Sequence, residues 1–429
     1  MKKYKMSTVQ DEFIRIEERH ENTSINNIAG IIHIKKQLNY QQINDAFNKV
    51  IEQHDTLRIR FTKEDSEYRQ YVADYKEQHF EFLNFHDDQV NYDKWLKNNT
   101  NRNLFISDEN LYHVKVVKCP DGHMGIFIIL HHLIIDIWGI TIIIDNFVKK
   151  LIGKKNEMIS NSTYLEIITN EQDYKSSKRF IKDQAFWLKK TKYFENNSLF
   201  EDNRLNSIVG ERLRIDLSDK LSAKINHFCT KNAISVSNLF TAIMHIIKHK
   251  KTRAKTTSIG MVIHNRNGQN EKQSTGLFAK YLPMIVEINN DLSITDFLYI
   301  VKLESLNLLK YRHYPFRYIV KNCKNRKGLK DCFISFQNAK YDAEFIKDGF
   351  TDEWLSNGTN VAPLGINICN RSNKNNLEFD YAYQTDVLDK AGIYRLHETI
   401  LNVFNKISEN PEQKISEMNI SLEEVLIHL

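Results

Sequence analysis

Proline and glycine are scarce in this chain, at five and fourteen in 429 residues. That excludes a flexible linker of the Gly/Ser or Pro-rich kind, so the parts of the molecule are expected to pack tightly on one another. Cysteine is equally sparse. Cys119, Cys229, Cys323, Cys332 and Cys369 are odd in number, widely spaced and free of any C-x-x-C pair, which indicates neither a disulfide framework nor a thiolate zinc site. Long apolar runs are missing too. The longest candidate, Ile126 to Ile144, is broken by two histidines and Gly139, and none reaches the roughly 20 residues that span a bilayer. The opening Met1 to Glu12 has lysines but no apolar segment behind them, unlike a signal peptide. The cytoplasm, with no membrane span, is therefore expected. No Walker motif, G-x-G-x-x-G, G-x-S-x-G or H-E-x-x-H occurs, so phosphate-cradling and hydride chemistry have no support.

What is present is ordinary globular material: 41% hydrophobic and 27% charged residues. The length exceeds one compact core of usual size, so two domains are expected. A net charge of +6 is mild. The basic runs Lys248 to Lys255 and Lys321 to Lys330 could hold an anionic partner, although such runs are more often simply a solvated face, and nothing resembles a nucleic-acid module.

Strand and helix patterns alternate. Ile28 to Ile34, Leu57 to Phe61, Tyr112 to Val117 and Met124 to Leu130 read as strands. Tyr40 to His54 has Ile43, Phe47, Val50 and Ile51 at helical spacing, and Ile137 to Ile152 reads as a buried helix. A polar patch at Lys154 to Thr163 precedes helical segments ending near Trp187. The style then repeats: strand Arg212 to Leu217, helix Ser218 to Asn232 with Ser218 as N-cap, helix Val236 to Lys250 and strand Thr256 to Ile263. The economical reading is an α/β fold in two halves, 1–175 and 176–429.

The stretch I-L-H-H-L-I-I-D-I-W-G, residues 129–139, holds the clearest chemistry. Neighbouring side chains on a strand face apart, so His131 and His132 cannot share one job there. Three readings are open. A histidine at a strand end can simply bond a backbone carbonyl. A metal site needs three or four converging ligands, and no second cluster is evident. A neutral imidazole can also take a proton in acid–base work. Asp136, in an apolar run, needs a cationic partner or hydrogen-bond donors if buried.

Several segments in order then resemble the condensation domains of nonribosomal peptide synthetases, in the chloramphenicol-acetyltransferase-like superfamily. His131 to Asp136 is similar to the H-H-x-x-x-D-G signature. Ser7 to Gln10 (S-T-V-Q), Gln53 to Phe61 (Q-H-D-T-L-R-I-R-F), Tyr164 to Ile167 with Trp187 downstream, Thr275 to Pro283 (T-G-L-F-A-K-Y-L-P), Tyr311 to Phe316 (Y-R-H-Y-P-F) and Ile334 to Asn338 (I-S-F-Q-N) resemble the other motifs. The resemblance covers nearly the whole chain.

It implies two acetyltransferase-like halves in a V shape, with mixed sheets and a tunnel between them. His132 would sit at the tunnel centre as the catalytic base, forming an amide, or an ester, from an acyl or peptidyl thioester. His131 would be structural. Asp136 would be clamped by Arg266 or Arg58, and Gln337 or Asn338 could place an amide near the tunnel. No bound cofactor or metal is expected. The substrates would arrive on the phosphopantetheine of acyl or peptidyl carrier proteins acting in trans, with a small amine or a carrier-bound aminoacyl group as acceptor and a monomer as the working form. The chain departs from the family where Ile137 stands in place of glycine, and more mildly at Gln53 and at Ala279-Lys280. The Ile137 departure supports an alternative: a non-catalytic module that docks carrier proteins around a degenerate site.

Overall fold

The computed structural model describes residues 2–154, 163–169, 171–192, 194, 197–200, 207–324, 326–337, 339–342, 345, 347, 349–370 and 376–420. Most of the polar patch at Lys154 to Thr163, the last nine residues and Asn338 therefore lie outside the described residues. The described strands are β1 (Tyr4–Lys5), β2 (Asn27–Ile34), β3 (Ile59–Glu64), β4 (Glu67–Val72), β5 (Glu81–Asn84), β6 (Tyr112–Lys118), β7 (Met124–His131), β8 (Gly210–Asp216), β9 (Thr256–Ile263), β10 (Lys280–Glu287), β11 (Cys332–Gln337), β12 (Phe350–Leu355), β13 (Leu364–Cys369) and β14 (Glu378–Gln384).

They form a small antiparallel sheet, β1-β4-β3, and two mixed sheets ordered β12-β2-β7-β6-β5 and β10-β9-β11-β13-β14-β8. In the first mixed sheet β5 runs parallel to β6 and the other neighbours are antiparallel. In the second, β11 runs parallel to both β9 and β13. With helices packed on these sheets the fold is α/β.

β7 shows why its sequence is a continuous apolar run rather than an alternation. It lies between β2 and β6 and every residue in it is buried. Ile126, Ile128 and Leu130 enter the larger core on one face. Phe127 and Ile129 meet Tyr92 and Leu96 of the helix Gln89–Asn99 on the other. A strand covered on both faces has no polar side to show.

Helix Tyr40–Gln53 is capped by Asn39 and buries Ile43, Ala46, Phe47, Val50 and Ile51, a stripe at helical spacing. Helix Ile137–Leu151 buries Ile140, Ile143, Ile144, Phe147 and Val148 in the same core. Ser218 caps helix Asp219–Lys231 by accepting the Leu221 amide. The expected strand at Leu57 begins only at Ile59. Asp55–Arg58 form a 3-10 turn in which the Leu57 amide turns back to the His54 carbonyl.

Two large cores result. One gathers buried residues from Met6 to Ile168, the other from Trp187 to Met418. The separation is incomplete, because Leu277, Phe278, Tyr341, Phe345 and Phe350 join the first core. β12 likewise hydrogen-bonds along β2, with Phe350 opposite Ile34 and Leu355 opposite Ala29. The later part of the chain thus supplies an edge strand to the earlier sheet. In the second core Lys248 is fully buried and its ammonium donates to both Asp331 oxygens, at 2.8 and 3.0 Å, and to the carbonyls of Ser258 and Gly328. Four acceptors satisfy a charge that burial would otherwise expel.

Candidate active site

β7 ends at His131, and a short turn over His132 to Ile135 leads into the helix Ile137–Leu151. The two histidines part at this junction and do different work. His131 is 1% exposed. Its Nδ1 accepts the Leu133 amide at 3.1 Å, so the proton sits on Nε2, which donates to Glu17 Oε1 at 3.0 Å. The same Glu17 oxygen accepts from Asn26 Nδ2 at 2.6 Å. His131 is a buried bolt between strand and helix.

His132 is half-buried, with its ring 5.1 Å from that of Phe13. Its backbone N–H donates to the Asn26 carbonyl and its Nδ1 lies 3.0 Å from the Ile135 carbonyl oxygen. A carbonyl only accepts, so Nδ1 carries the proton. Burial pushes the His132 pKa down to about 4, against the pull of the Asp136 charge. At neutral pH the ring is uncharged, and among the described residues the Nε2 lone pair has no hydrogen-bond partner. Orientation and tautomer are both set by one backbone contact.

The turn is pinned from the opening motif. Ser7 caps the helix Thr8–Glu17 in a capping box with Gln10. The Gln10 amide donates to the Leu133 carbonyl at 2.9 Å and to Gln70 at 2.8 Å. Gln10, Phe13, Glu17 and Asn26 all support the histidines, and sequence reasoning gave none of them that role. Each acts from a distant part of the chain, or on a backbone carbonyl, and leaves no local pattern.

Asp136 caps the helix Ile137–Leu151 by accepting the Gly139 amide at 2.9 Å. Arg266 holds both its oxygens, Nη1 to Oδ2 at 2.6 Å and Nη2 to Oδ1 at 2.9 Å. The amides of Phe278 and Ala279 add two bonds to Oδ2, each 3.0 Å. Both partners are buried. Burial alone raises the carboxyl pKa, but the Arg266 charge and these hydrogen bonds outweigh it and leave Asp136 below the usual carboxylate range. Asp136 is a clamp, and the cation is Arg266.

Arg58 is not that cation. Its Nη1 donates to the Ala73 carbonyl, and its charge acts on Asp55. Its motif nevertheless reaches the clamp segment elsewhere, since the Thr56 and Thr275 hydroxyls lie 2.6 Å apart. Gln337, at the end of β11, donates to Asn367 and accepts from Cys369 within the second sheet. Asn338 lies outside the described residues.

The replaced glycine proves undemanding. Ile137 is the first residue of an ordinary helix and packs partly on the first core, a position with no need of positive φ. Two later glycines make the close approach instead. A Cβ on Gly139 would stand 2.8 Å from Ile135 and 3.2 Å from the Gly276 nitrogen. Gly276 has φ +140°, and a Cβ there would stand 2.2 Å from the Tyr164 ring. Their contact lets the two segments approach closely enough for Asp136 to reach Arg266, Phe278 and Ala279.

Among the described residues no three His, Cys, Asp or Glu side chains converge to hold a metal. No described helix is long and apolar enough to cross a membrane.

Known proteins resemble this chain over nearly its whole length. Surfactin synthase subunit 1 of Bacillus subtilis is 23% identical over 440 residues, covering 97% of this chain and 12% of that protein. Bacitracin synthase 2 of Bacillus licheniformis is 21% identical over 439 residues, covering 99% of this chain and 17% of its own length. The chain thus spans a small part of these relatives. Among solved structures, a variant of the starter condensation domain of rhizomide synthetase, in complex with C8-CoA, superposes with a TM-score of 0.84 at 16% identity, covering 97% of this chain and 98% of that one. The family model of the Condensation domain matches residues 1–425, and the chain belongs to that family.

Proposed function

We propose that the protein catalyses condensation: an amine attacks the thioester of an acyl or peptidyl group carried on the phosphopantetheine of a carrier protein, in nonribosomal peptide or related biosynthesis. A hydroxyl acceptor would give an ester by the same route. The carrying observation is the Nε2 lone pair of His132, without a hydrogen-bond partner among the described residues, with Nδ1 fixed on the Ile135 carbonyl.

In the reaction the amine nitrogen forms its bond to the thioester carbon and passes a proton to His132 Nε2. The C–S bond then breaks, and the thiolate recovers that proton. The amide stays on the former amine and the carrier keeps its thiol. Base catalysis of this kind supplies roughly 10²–10⁴-fold. Alignment of the two substrates in a tunnel between halves 1–175 and 176–429, set in a V, contributes more, since effective molarities reach on the order of 10⁵ M. His131, Asp136 and Arg266 hold the base in place without touching the reacting atoms. The carriers act in trans on a cytoplasmic monomer, and acidic carriers suit the net charge of +6.

The alternative is a docking module that binds carriers without catalysis. It rested on Ile137, and that residue occupies an ordinary first helical turn. The two readings part in one experiment. Purified protein is given acyl-pantetheine thioesters with a panel of amines and alcohols, and products are read by mass spectrometry beside His132→Ala. Amide or ester that vanishes in the variant supports condensation. A silent wild type that still binds carrier protein supports docking.

A further inference from the structure

The first mixed sheet carries a smaller core on the face away from the helix Ile137–Leu151, and three polar side chains meet at its edge. Cys119 follows β6 directly and is 2% exposed. His33 lies on β2 two residues beyond Ile31, so it shares the face that Ile31 and Cys119 give to this core. Glu353 stands opposite Ile31 on the edge strand β12. The Cys119 sulfur is 3.6 Å from His33 Nδ1, and His33 Nε2 is 3.4 Å from Glu353 Oε2. His33 is half-buried and Glu353 exposed, so the series runs from the sulfur out to solvent. β7 leaves room for the contact. Gly125 is opposite His33 on one side and Val117 on the other. A Cβ there would stand 3.3 Å from the Cys119 sulfur and 3.2 Å from Val117, so a side chain would crowd the space between β2 and the end of β6.

A carboxylate only accepts, so His33 Nε2 carries the proton that faces Glu353 and Nδ1 is left to accept from the thiol. A nucleophile, a base within reach of it and a third group that orients the base are the parts of an activated thiol. Cys119 and then Glu353 raise His33 to about 9 against the effect of burial, so the ring takes a second proton readily at pH 7. The Tyr92 hydroxyl is 3.9 Å from the sulfur. Burial raises its pKa, so it keeps its proton and can donate to a thiolate. In the turn after Cys119, His123 and Asp121 pair with each other at 3.0 Å. The other four cysteines are free as well. Cys229 is the most exposed of the five, at 6%, yet burial pushes its thiol up to about 12. Burial raises Cys332 too.

We propose that Cys119, with His33 as its base and Glu353 orienting that base, is a nucleophilic thiol that takes hydrogen peroxide and becomes a sulfenic acid. The thiol proton passes to His33 Nδ1. The thiolate sulfur attacks one peroxide oxygen, the S–O bond forms and the O–O bond breaks. Sulfur gives up two electrons and the peroxide accepts them. The leaving hydroxide takes the proton back from His33 and departs as water. Peroxide suits a sulfur one side chain below the surface, because it is little larger than water and needs no pocket.

The test is a timed exposure of the full chain to hydrogen peroxide at pH 7, stopped with catalase. The chain is then denatured, the remaining thiols are alkylated, and each cysteine is read by peptide mass spectrometry. Cys119 is expected to be lost about tenfold faster than any of the other four, whereas exposure alone would put Cys229 first. Early in the course dithiothreitol restores the thiol, as it does for a sulfenic acid. Glu353→Gln, at an exposed position, slows Cys119, and His33→Phe slows it by about tenfold. Each rate is read as a ratio to Cys229 in the same sample, so a loosened fold, which speeds all five, is told apart. Another cysteine lost first, equal loss of all five, no loss of Cys119, a thiol that dithiothreitol does not restore, or an unaltered ratio in His33→Phe would each overturn the proposal. No thioester or amine takes part, so the outcome is read independently of condensation.

Discussion

Arg266 closes two hydrogen bonds of 2.6 and 2.9 Å on Asp136 across 130 residues of chain. Each guanidinium nitrogen has further acceptors, with Nε on the Glu271 carbonyl and Nη2 near the Gly276 carbonyl. Phe278 stacks under the guanidinium at 4.4 Å. The pair sets the start of the helix Ile137–Leu151 and holds the segment 276–279 against it.

Breaking this pair from one side strands the other charge in a dry site. Arg266→Ala is expected to lose about 3–5 kcal/mol of stability, measured by denaturant unfolding. Asp136→Asn keeps the shape but loses the charge, and should fall in the same direction by less. The double variant should cost less than the sum of the singles. Fully additive losses would show that the two residues do not form a unit.

Gly276→Ala tests the close approach. At φ +140°, with Tyr164 2.2 Å from the added Cβ, the substitution forces the segment away from Tyr164. A cost of about 3 kcal/mol is expected from backbone strain and overpacking, with lowered activity as the Phe278 and Ala279 amides leave Asp136. A variant of wild-type thermal stability would contradict the tight contact.

The pH dependence follows from the buried histidines. His132 is held down at about 4, and His245, fully buried beside Thr257, at about 3. Unfolding releases both toward the ordinary value near 6.5, so below that value the unfolded chain binds more protons. Their contribution to stability is complete above pH 6.5 and is lost as the pH falls toward 4 and 3. Glu12, raised to about 7, has the opposite sign: its contribution is complete below about 4.5 and fades as the pH rises through 7. Thermal melts from pH 8 to 4 should show a falling midpoint below 6.5, shallower in His245→Phe. In the rate profile His132 gives an acid limb near pH 4. A limb near 6.5 would mean that its ring is solvated.

Much of the fold was legible in the sequence, because buried strands and amphipathic helices carry their own periodicity. β9, the helix Tyr40–Gln53 and the Ser218 cap lie where the pattern puts them. Asp136 announced a partner by being acidic in an apolar run, and Arg266 was one of two candidates. Arg58 was the other and failed because its charge is used locally, beside Asp55. Long-range pairing was hidden. The pairing of β12 with β2, the Glu17–His131 bolt and the Gln10–Leu133 tether join segments that share no local pattern, and the contact of Gly139 with Gly276 shows only once the backbone is placed.

The most direct measurement is single-turnover amide formation from an acyl-pantetheine thioester and an amine, wild type against His132→Ala, with both proteins shown to be equally folded. Amide formation is expected to be slower by roughly 10²–10⁴-fold in the variant, with hydrolysis of the thioester unchanged. Equal rates of amide formation in the two proteins would contradict base catalysis by His132.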